Sequence, residues 1–246
     1  MPVKSNSNQR EKILLRIRGF AKSRKNSYEN KKLQAYLGSS YKVLGLPRAQ
    51  VDLIIREFAR EVPKISSTEL NTLADDLWKK GKTYDERAIA ISLLNRYPKL
   101  LNDETWRIAD RWVDQASGWG LCDALGSGPI STLLYKYFGA KAGEILRWTR
   151  SRNFWRRRVT LYALRDFVFA NELDFPFVVL EYLIHDREFW VQRAAGTWLR
   201  ECWKKDRKKT EEFLIKNSKG LPKMVITVAT ERAPKSFREK LRRMRE

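Results

Sequence analysis

Apolar residues recur three and four positions apart along most of the chain, the spacing that lines one face of an α-helix, and stretches alternating with period two are absent. The pattern predicts helices near 48–60, 67–80, 85–96, 103–113, 129–138, 154–169, 175–184 and 188–203. Breakers stand between them: Pro47, Pro63, Pro98, Gly118, Gly126, Gly128-Pro129, Gly139, Pro176, Gly220-Leu221-Pro222 and Pro234. Several of the prolines fall where a helix would begin, the position that tolerates a missing N–H. Short connections between helices of this length imply stacked antiparallel hairpins. The fold expected is all-α, an α-α superhelix of HEAT-like helical hairpin repeats forming a single domain over 1–246. A basic N-terminal helix is expected at about 8–25 and a basic tail at about 234–246.

A period supports the hairpin reading. Residues 153–166 and 188–201, shifted by 35, share Phe154/Phe189, Trp155/Trp190, Arg158/Arg193, Leu164/Leu199 and Arg165/Arg200, with an acid following in each, Asp166/Glu201. Two periods earlier, Tyr84 to Ala90 again reads aromatic, two residues, arginine, then small or apolar. Tyr84, Trp119, Trp155 and Trp190 are separated by 35, 36 and 35 residues. Stacked units of this kind carry one curved inner face. An aromatic at a helix start also serves as a staple into the core, and an arginine there can bridge to the neighbouring repeat. For Tyr84 with Arg87, and for Trp190 with Arg193, that structural role is at least as well supported as a functional one. Arginines repeated at one structural position, here 87, 158 and 193, would nevertheless form a ladder suited to regularly spaced phosphates.

Charge sharpens this. The 246 residues hold 50 Lys+Arg against 29 Asp+Glu, a formal charge of +21, with 43% hydrophobic residues. That is a folding sequence rather than a disordered basic tail. Self-repulsion on this scale is usually offset by a polyanion, which is DNA, RNA or an anionic membrane, and a nucleic acid is the partner expected, duplex DNA first. No apolar run reaches the roughly 20 residues of a membrane span, and Met1-Pro2-Val3-Lys4-Ser5-Asn6 lacks a signal-peptide core. Two cysteines, Cys122 and Cys202, and one histidine, His185, offer no metal-ligand spacing and no disulfide framework. A monomer without metal, cofactor or membrane contact is expected, placed in the cytoplasm at the nucleoid.

The repeat breaks at its centre. In Ser117-Gly118-Trp119-Gly120-Leu121-Cys122-Asp123, Cys122 stands where the arginine is expected and a carboxylate follows. A carboxylate on a cationic face repels phosphate, so a protein that only grips DNA gains nothing from it. Either Asp123 caps a helix or pairs with a neighbouring arginine, or it marks a site, as local rule-breaking often does. Trp119 and Asp123 are four apart and share a helix face if the helix starts at or before Trp119. Arg158 occupies the same position one repeat on, so an indole, a carboxylate and a guanidinium are expected to converge. An indole face attracts a cation. A carboxylate beside it stabilises developing positive charge and can orient a water. The substrate such a set fits is a cation that dissociates further in the transition state.

Four stretches carry a resemblance. They are Leu33-Gln34-Ala35-Tyr36 with Tyr41-Lys42-Val43-Leu44-Gly45-Leu46; Trp119 to Asp123; Asn153-Phe154-Trp155-Arg156-Arg157-Arg158; and Gln192 to Glu201. In order and spacing they resemble the AlkD-type alkylpurine DNA glycosylases, a HEAT-like-repeat family of bacteria and archaea, over roughly residues 33 to 230. The resemblance implies a monofunctional hydrolase for DNA base excision repair. It would remove cationic N3- and N7-alkylated purines from double-stranded DNA, without fully extruding the base, and leave an abasic site. A purine alkylated at N3 or N7 is a cation whose N-glycosidic bond breaks through an oxocarbenium-like sugar. Carried over by motif, Asp123 is the catalytic carboxylate, Trp119 packs on the lesion's deoxyribose, Arg158 holds a phosphate beside it, and Tyr36 flanks the site. Arg87, Trp155, Arg157, Trp190, Arg193 and Trp198 complete the expected DNA contacts.

One departure matters. The family's late aromatic directly follows the glycine of the last motif, where this chain has Thr197, and the indole comes one residue later as Trp198. One residue is about 100° of helix rotation, so Trp198 is expected to turn toward the core. A second reading therefore stands beside the first: a duplex-binding protein without turnover. The basic head (Arg10, Lys12, Arg16, Arg18, Lys22, Arg24, Lys25) and the tail suit either additional DNA grip or a solvated amphipathic helix.

Overall fold

The computed structural model describes residues 2–22 and 27–246, and every regular element among them is helical apart from an isolated bridge between Lys42 and Thr83. The all-α expectation holds. Contacts divide the chain into two compact units, Met1–Leu133 and Leu134–Glu246.

The first unit holds α1 (Pro2–Lys22), α2 (Ser27–Leu37), α3 (Arg48–Glu61), α4 (Ser67–Lys80), α5 (Tyr84–Arg96), α6 (Asp103–Gln115) and α7 (Trp119–Leu125). Polar residues set several of these starts. Ser66 with Glu69, and Thr83 with Glu86, form reciprocal capping boxes at α4 and α5. Asn102 with Thr105 does the same for α6. Asn102 also donates to Ser67 Oγ at 2.8 Å, and fully buried Thr105 donates to Asn71 Oδ1 at 2.8 Å, so one polar network ties α4 to α6. Around it lie Ile54, Phe58, Leu70, Leu73, Leu77, Ile89 and Leu93, all buried. Trp78 and Trp112 stack with centroids 4.5 Å apart and planes 6° from parallel.

Helix α1 buries Ile13, Leu14 and Ile17 and packs on α3 and α4. Lys12 reaches Glu61 at 3.1 Å, and Arg16 pairs with Glu57 at 2.8 Å and also with Glu61. The Arg16 and Lys12 hydrogen bonds hold the Glu61 carboxyl below its usual range. Two charges of the basic head thus fasten α1 to the fold. Arg24 and Lys25 lie outside the described residues.

A single π-turn, Gly126–Ile130, leads into α8 (Ser131–Lys136), within which the boundary between the units falls. A regular helix over 129–138 was expected. Pro129 has no N–H to donate, and Gly128 leaves helical geometry at φ −104°, ψ −113°. The second unit continues with α9 (Phe138–Trp148), α10 (Phe154–Tyr162), α11 (Arg165–Phe169), α12 (Asp174–Leu183) and α13 (Phe189–Lys205). It ends with α14 (Arg207–Lys216), α15 (Lys223–Ala229) and α16 (Lys235–Met244). The helix expected over 154–169 is broken at Ala163 and Leu164, both fully buried, where ψ rises to −12° and −7°. Helix α13 is the hub, packing against α10, α12, α14 and α15. The basic tail forms α16, which buries Phe237 and Leu241 and leaves Lys240, Arg242 and Arg243 exposed.

The repeat has a firmer register in the structure. Helices α5, α7, α10 and α13 begin at Tyr84, Trp119, Phe154 and Phe189, thirty-five residues apart each time, after caps at Thr83, Gly118, Asn153 and Glu188. Trp155 and Trp190 therefore sit one residue later in their helices than Tyr84 and Trp119. Side-chain contacts agree independently of the helix ends. Arg87 donates to the Gly81 carbonyl at 2.7 Å, Arg157 to the Ser151 carbonyl at 2.7 Å and Gln192 to the Asp186 carbonyl at 2.9 Å, each six residues back. The expected ladder of arginines at 87, 158 and 193 is thus two sets. Arg87 and Arg157 share a position that ties each helix to the turn before it, and Cys122 stands there in α7. Arg158 and Arg193 share the next position, and the residue occupying it in α7 is Asp123.

Candidate functional site

In the first unit the candidate residues lie on α2 (Tyr36), α5 (Arg87) and α7 (Trp119 and Asp123), and the loop that follows α2 packs against the start of α7. Gly118 caps α7 at φ 90°, a left-handed conformation that glycine adopts without a Cβ penalty, and a Cβ there would come within 2.6 Å of the Leu37 carbonyl oxygen. The two segments are joined by backbone contacts as well. Ser40 N donates to Ser117 Oγ at 3.0 Å, and the Tyr41 hydroxyl donates to the Gln115 carbonyl at 2.5 Å. The same loop is bound to α5: Tyr84 N donates to the Lys42 carbonyl at 2.9 Å, and the buried Asp85 carboxylate accepts from Leu44 N and Leu46 N at 2.6 and 2.8 Å. Burial pushes the Asp85 carboxyl above its ordinary range, against the pull of those two donors.

On this platform Trp119 is half-buried and donates Nε1–H to the Tyr36 carbonyl at 2.8 Å. The Tyr36 side chain is 67% exposed, and its ring meets the indole edge-on with centroids 5.3 Å apart. Asp123 is half-buried one turn along the same short helix, and its carbonyl accepts from Ser127 Oγ at 2.6 Å in the π-turn. Cys122 is fully buried, which removes the one covalent nucleophile that the motif contained. The Cys202 thiol is buried too, and that burial pushes its pKa up to about 12. Arg87 lies 3.9 Å from the Tyr41 ring centroid and 5.3 Å from that of Trp78, with its guanidinium turned to the Gly81 carbonyl. It is a structural clamp for the loop. Tyr84 is not among the expected site residues, yet it stands against α7. A Cβ on Gly120 would fall 2.1 Å from its hydroxyl, so the phenol abuts the α7 backbone between Trp119 and Asp123. The signal available was its place in the aromatic period.

In the second unit, Arg158 is 4% exposed and donates to the Trp190 carbonyl and, at 3.3 Å, to the Tyr162 hydroxyl. Its guanidinium lies 5.0 and 5.8 Å from the Tyr162 and Trp190 ring centroids. Tyr162, one turn after Arg158 on α10, is the other residue the sequence reading missed; its spacing was the available signal. Trp155 and Trp190 are half-buried with centroids 5.9 Å apart, and Phe154 and Phe189 flank them. Arg193 is exposed. Arg157 is engaged with Asp186 through two bonds, 2.6 and 3.0 Å. Trp198 is buried at 5% exposure, edge-on to Tyr162, and among the described residues its Nε1–H has no hydrogen-bond partner. Thr197 returns its hydroxyl to the Arg193 carbonyl at 2.9 Å. The expected rotation of Trp198 toward the core is what the helix shows.

Chemically, α7 presents an aromatic face and a carboxylate on successive turns, which suits a cationic reactant. Among the described residues, no group of three or more His, Cys, Asp or Glu side chains is placed to hold a metal ion. None of the described helices is long and apolar enough to cross a membrane.

Comparison with known proteins fits this picture. The chain shares its fold with a predicted DNA alkylation repair enzyme from Enterococcus faecalis, at a TM-score of 0.71 and 19% identity, covering 86% of this chain and 98% of that one. AlkD2 from Streptococcus mutans aligns at a TM-score of 0.60 and 18% identity, over 82% of this chain and 97% of its own. No curated protein matches in sequence. The family model described as DNA alkylation repair enzyme matches residues 22–233, nearly the whole length, and the chain belongs to that family.

Proposed function

We propose that this protein is a monofunctional DNA glycosylase that hydrolyses the N-glycosidic bond of cationic N3- or N7-alkylated purines in duplex DNA. The observation that carries the reading is the pairing of Trp119 and Asp123 on α7, in a family of alkylation repair enzymes. Asp123 takes the register position where Arg158 and Arg193 stand in later hairpins and Ala88 in the earlier one, so this helix alone carries a carboxylate there. As C1′ develops oxocarbenium character, the Asp123 carboxylate stabilises it and orients the attacking water. Trp119 packs on the deoxyribose, with Tyr36 beside it. The bond electrons leave with the purine, whose positive charge they neutralise, and water supplies the new C1′ hydroxyl, releasing a proton by way of the Asp123 carboxylate to solvent. Arg193, exposed on α13, acts on a backbone phosphate, Trp155 and Trp190 contact the duplex, and Arg158, 4% exposed, orients Trp190 through its carbonyl. Because the leaving group is already cationic, full extrusion into an enclosed pocket is not required. The protein acts as a monomer in the cytoplasm, on nucleoid DNA.

The test is release of N7-methylguanine from methylated duplex DNA by the wild type and by Asp123→Asn. The variant should release base far more slowly while binding as tightly or more tightly. Equal release by the two proteins sinks the assignment. Arg193→Ala should weaken binding and reduce the slope of log K against log salt by about 1.

Burial of Trp198, with Thr197 in place of the family's aromatic, favours a second reading. On it the protein binds duplex DNA with steep salt dependence and releases no base.

A further inference from the structure

The second unit contains a cleft of about 730 Å³ that none of the candidate site residues lines. Its floor is aromatic. Tyr135 and Phe138 stand edge-on to Phe167 with centroids 4.9 and 5.2 Å away, and Phe138 meets Phe175 edge-on at 4.8 Å. Phe167 is buried, whereas Tyr135 and Phe138 keep about 40% of their surface exposed to the cleft side of the helices. The rim is acidic. Glu172, Asp174 and Asp206 border the cleft, with Lys209 as the one basic lining residue among the described residues.

These carboxylates are held in place. Glu172 accepts from the Tyr135 hydroxyl at 2.7 Å, and that bond raises the phenol's pKa. Asp206 caps α14 by accepting from Lys209 N at 2.9 Å. Lys209 extends its ammonium to Asp174, 5.9 Å from the Phe177 centroid. The rim therefore already receives one ammonium from the chain itself. Aromatic faces and carboxylates together recognise organic cations, and the same carboxylates would repel a DNA phosphate. In a protein of formal charge +21 such a concavity does not serve the nucleic acid. The volume lies within the roughly 300–1,000 Å³ usual for small-molecule pockets.

We propose that this cleft binds a small alkylammonium compound, its apolar stem against Phe138 and Phe175 and its charged head against Glu172 and Asp174. The site would allow the protein to sense or recruit an organic cation independently of the α7 chemistry. Lys209 is the tethered competitor for the Asp174 carboxylate.

Isothermal titration of the full chain with spermidine tests this, with hexanoate as the anionic control and a Lys-Arg-Lys peptide as the protein-like alternative. Saturable 1:1 binding of spermidine is expected, with none of hexanoate. Phe138→Ala and Glu172→Gln should each weaken it tenfold or more, Lys209→Ala should tighten it, and Asp123→Asn should leave it unchanged. Thermal melts confirm that the variants are folded, and saturation-transfer NMR from the aromatic protons to spermidine supplies a second readout in the wild type. The proposal is overturned by any of three results: no saturable spermidine binding, equal affinity in wild type and Phe138→Ala, or variant-sensitive binding of the peptide alone.

Discussion

The Trp119 indole donates its Nε1 proton to the Tyr36 carbonyl at 2.8 Å, while the Tyr36 ring stands at 89° to the indole plane. One residue thus fixes the other twice, by backbone and by side chain. A neutral hydrogen bond is worth about 1 kcal/mol net, and an edge-to-face pair about 0.5–1.5 kcal/mol. If this energy holds the indole against the substrate sugar, Trp119→Phe and Tyr36→Ala should each slow single-turnover base release by about 3- to 10-fold. Melting temperature should hardly move for Tyr36→Ala, because that side chain is 67% exposed. Unchanged rates in both variants would show that indole orientation does not matter.

Arg157 and Asp186 are 15% and 8% exposed at their side chains and share two hydrogen bonds. Removing one member of a buried pair leaves an uncompensated charge, at a typical cost of about 3–5 kcal/mol. Arg157→Ala should therefore lower the urea midpoint substantially. Lys216→Ala, which breaks an exposed pair with Glu181 at 2.8 Å, should cost under about 1 kcal/mol. If Arg157→Ala were as mild as Lys216→Ala and specifically weakened DNA binding, Arg157 would be a DNA ligand rather than a strut.

The helices with strong apolar periodicity, α3, α4, α6 and α12, were legible because each buries one face. The helix at Trp119 was less so, because its start is set by a glycine at positive φ and its end by a π-turn, neither of which leaves a periodic trace. Residue identity aligned Trp155 and Trp190 with Trp119. The caps Gly118, Asn153 and Glu188 share no residue type, so the one-residue offset was hidden until backbone geometry fixed it. Within the candidate site, the proximity of Tyr36 to Trp119 followed from the motif, as did the turn linking Trp119 to Asp123. The burial of Arg158 beneath the Trp190 carbonyl did not, since a charged residue in a basic motif reads as surface until its carbonyl and aromatic partners are seen.

Tyr84 supplies a test in pH. Burial, and after it the charges of Asp85, Asp123 and Cys122, raises its phenol pKa above the ordinary value near 10. A group whose folded pKa is raised contributes stability that is complete below the unfolded pKa and lost as pH climbs toward the folded one. The loss is at most about 1.4 kcal/mol per unit above pH 10. Urea midpoints should fall more steeply between pH 9.5 and 11 for wild type than for Tyr84→Phe, and the two should run parallel below pH 9. Parallel curves across the whole range would mean that the phenol is solvated.

The same hydroxyl explains why position 120 is glycine. A Cβ there would lie 2.1 Å from Tyr84 Oη, 3.1 Å from Leu37 Cδ2 and 3.2 Å from Tyr84 Cζ. The first contact requires that α7 or the Tyr84 ring shift, the ring being held by burial, and the other two are tight. Gly120→Ala should therefore destabilise the protein and slow base release by moving Trp119 and Asp123, although it touches neither. Tyr84→Phe removes the worst contact, so the double variant should regain part of both losses. In a double-mutant cycle the coupling should favour the pair by about 0.5–3 kcal/mol, the range for residues in contact. Additive behaviour would show that alanine at 120 is absorbed by the loop carrying Leu37, and that the Tyr84 hydroxyl does not set the placement of α7.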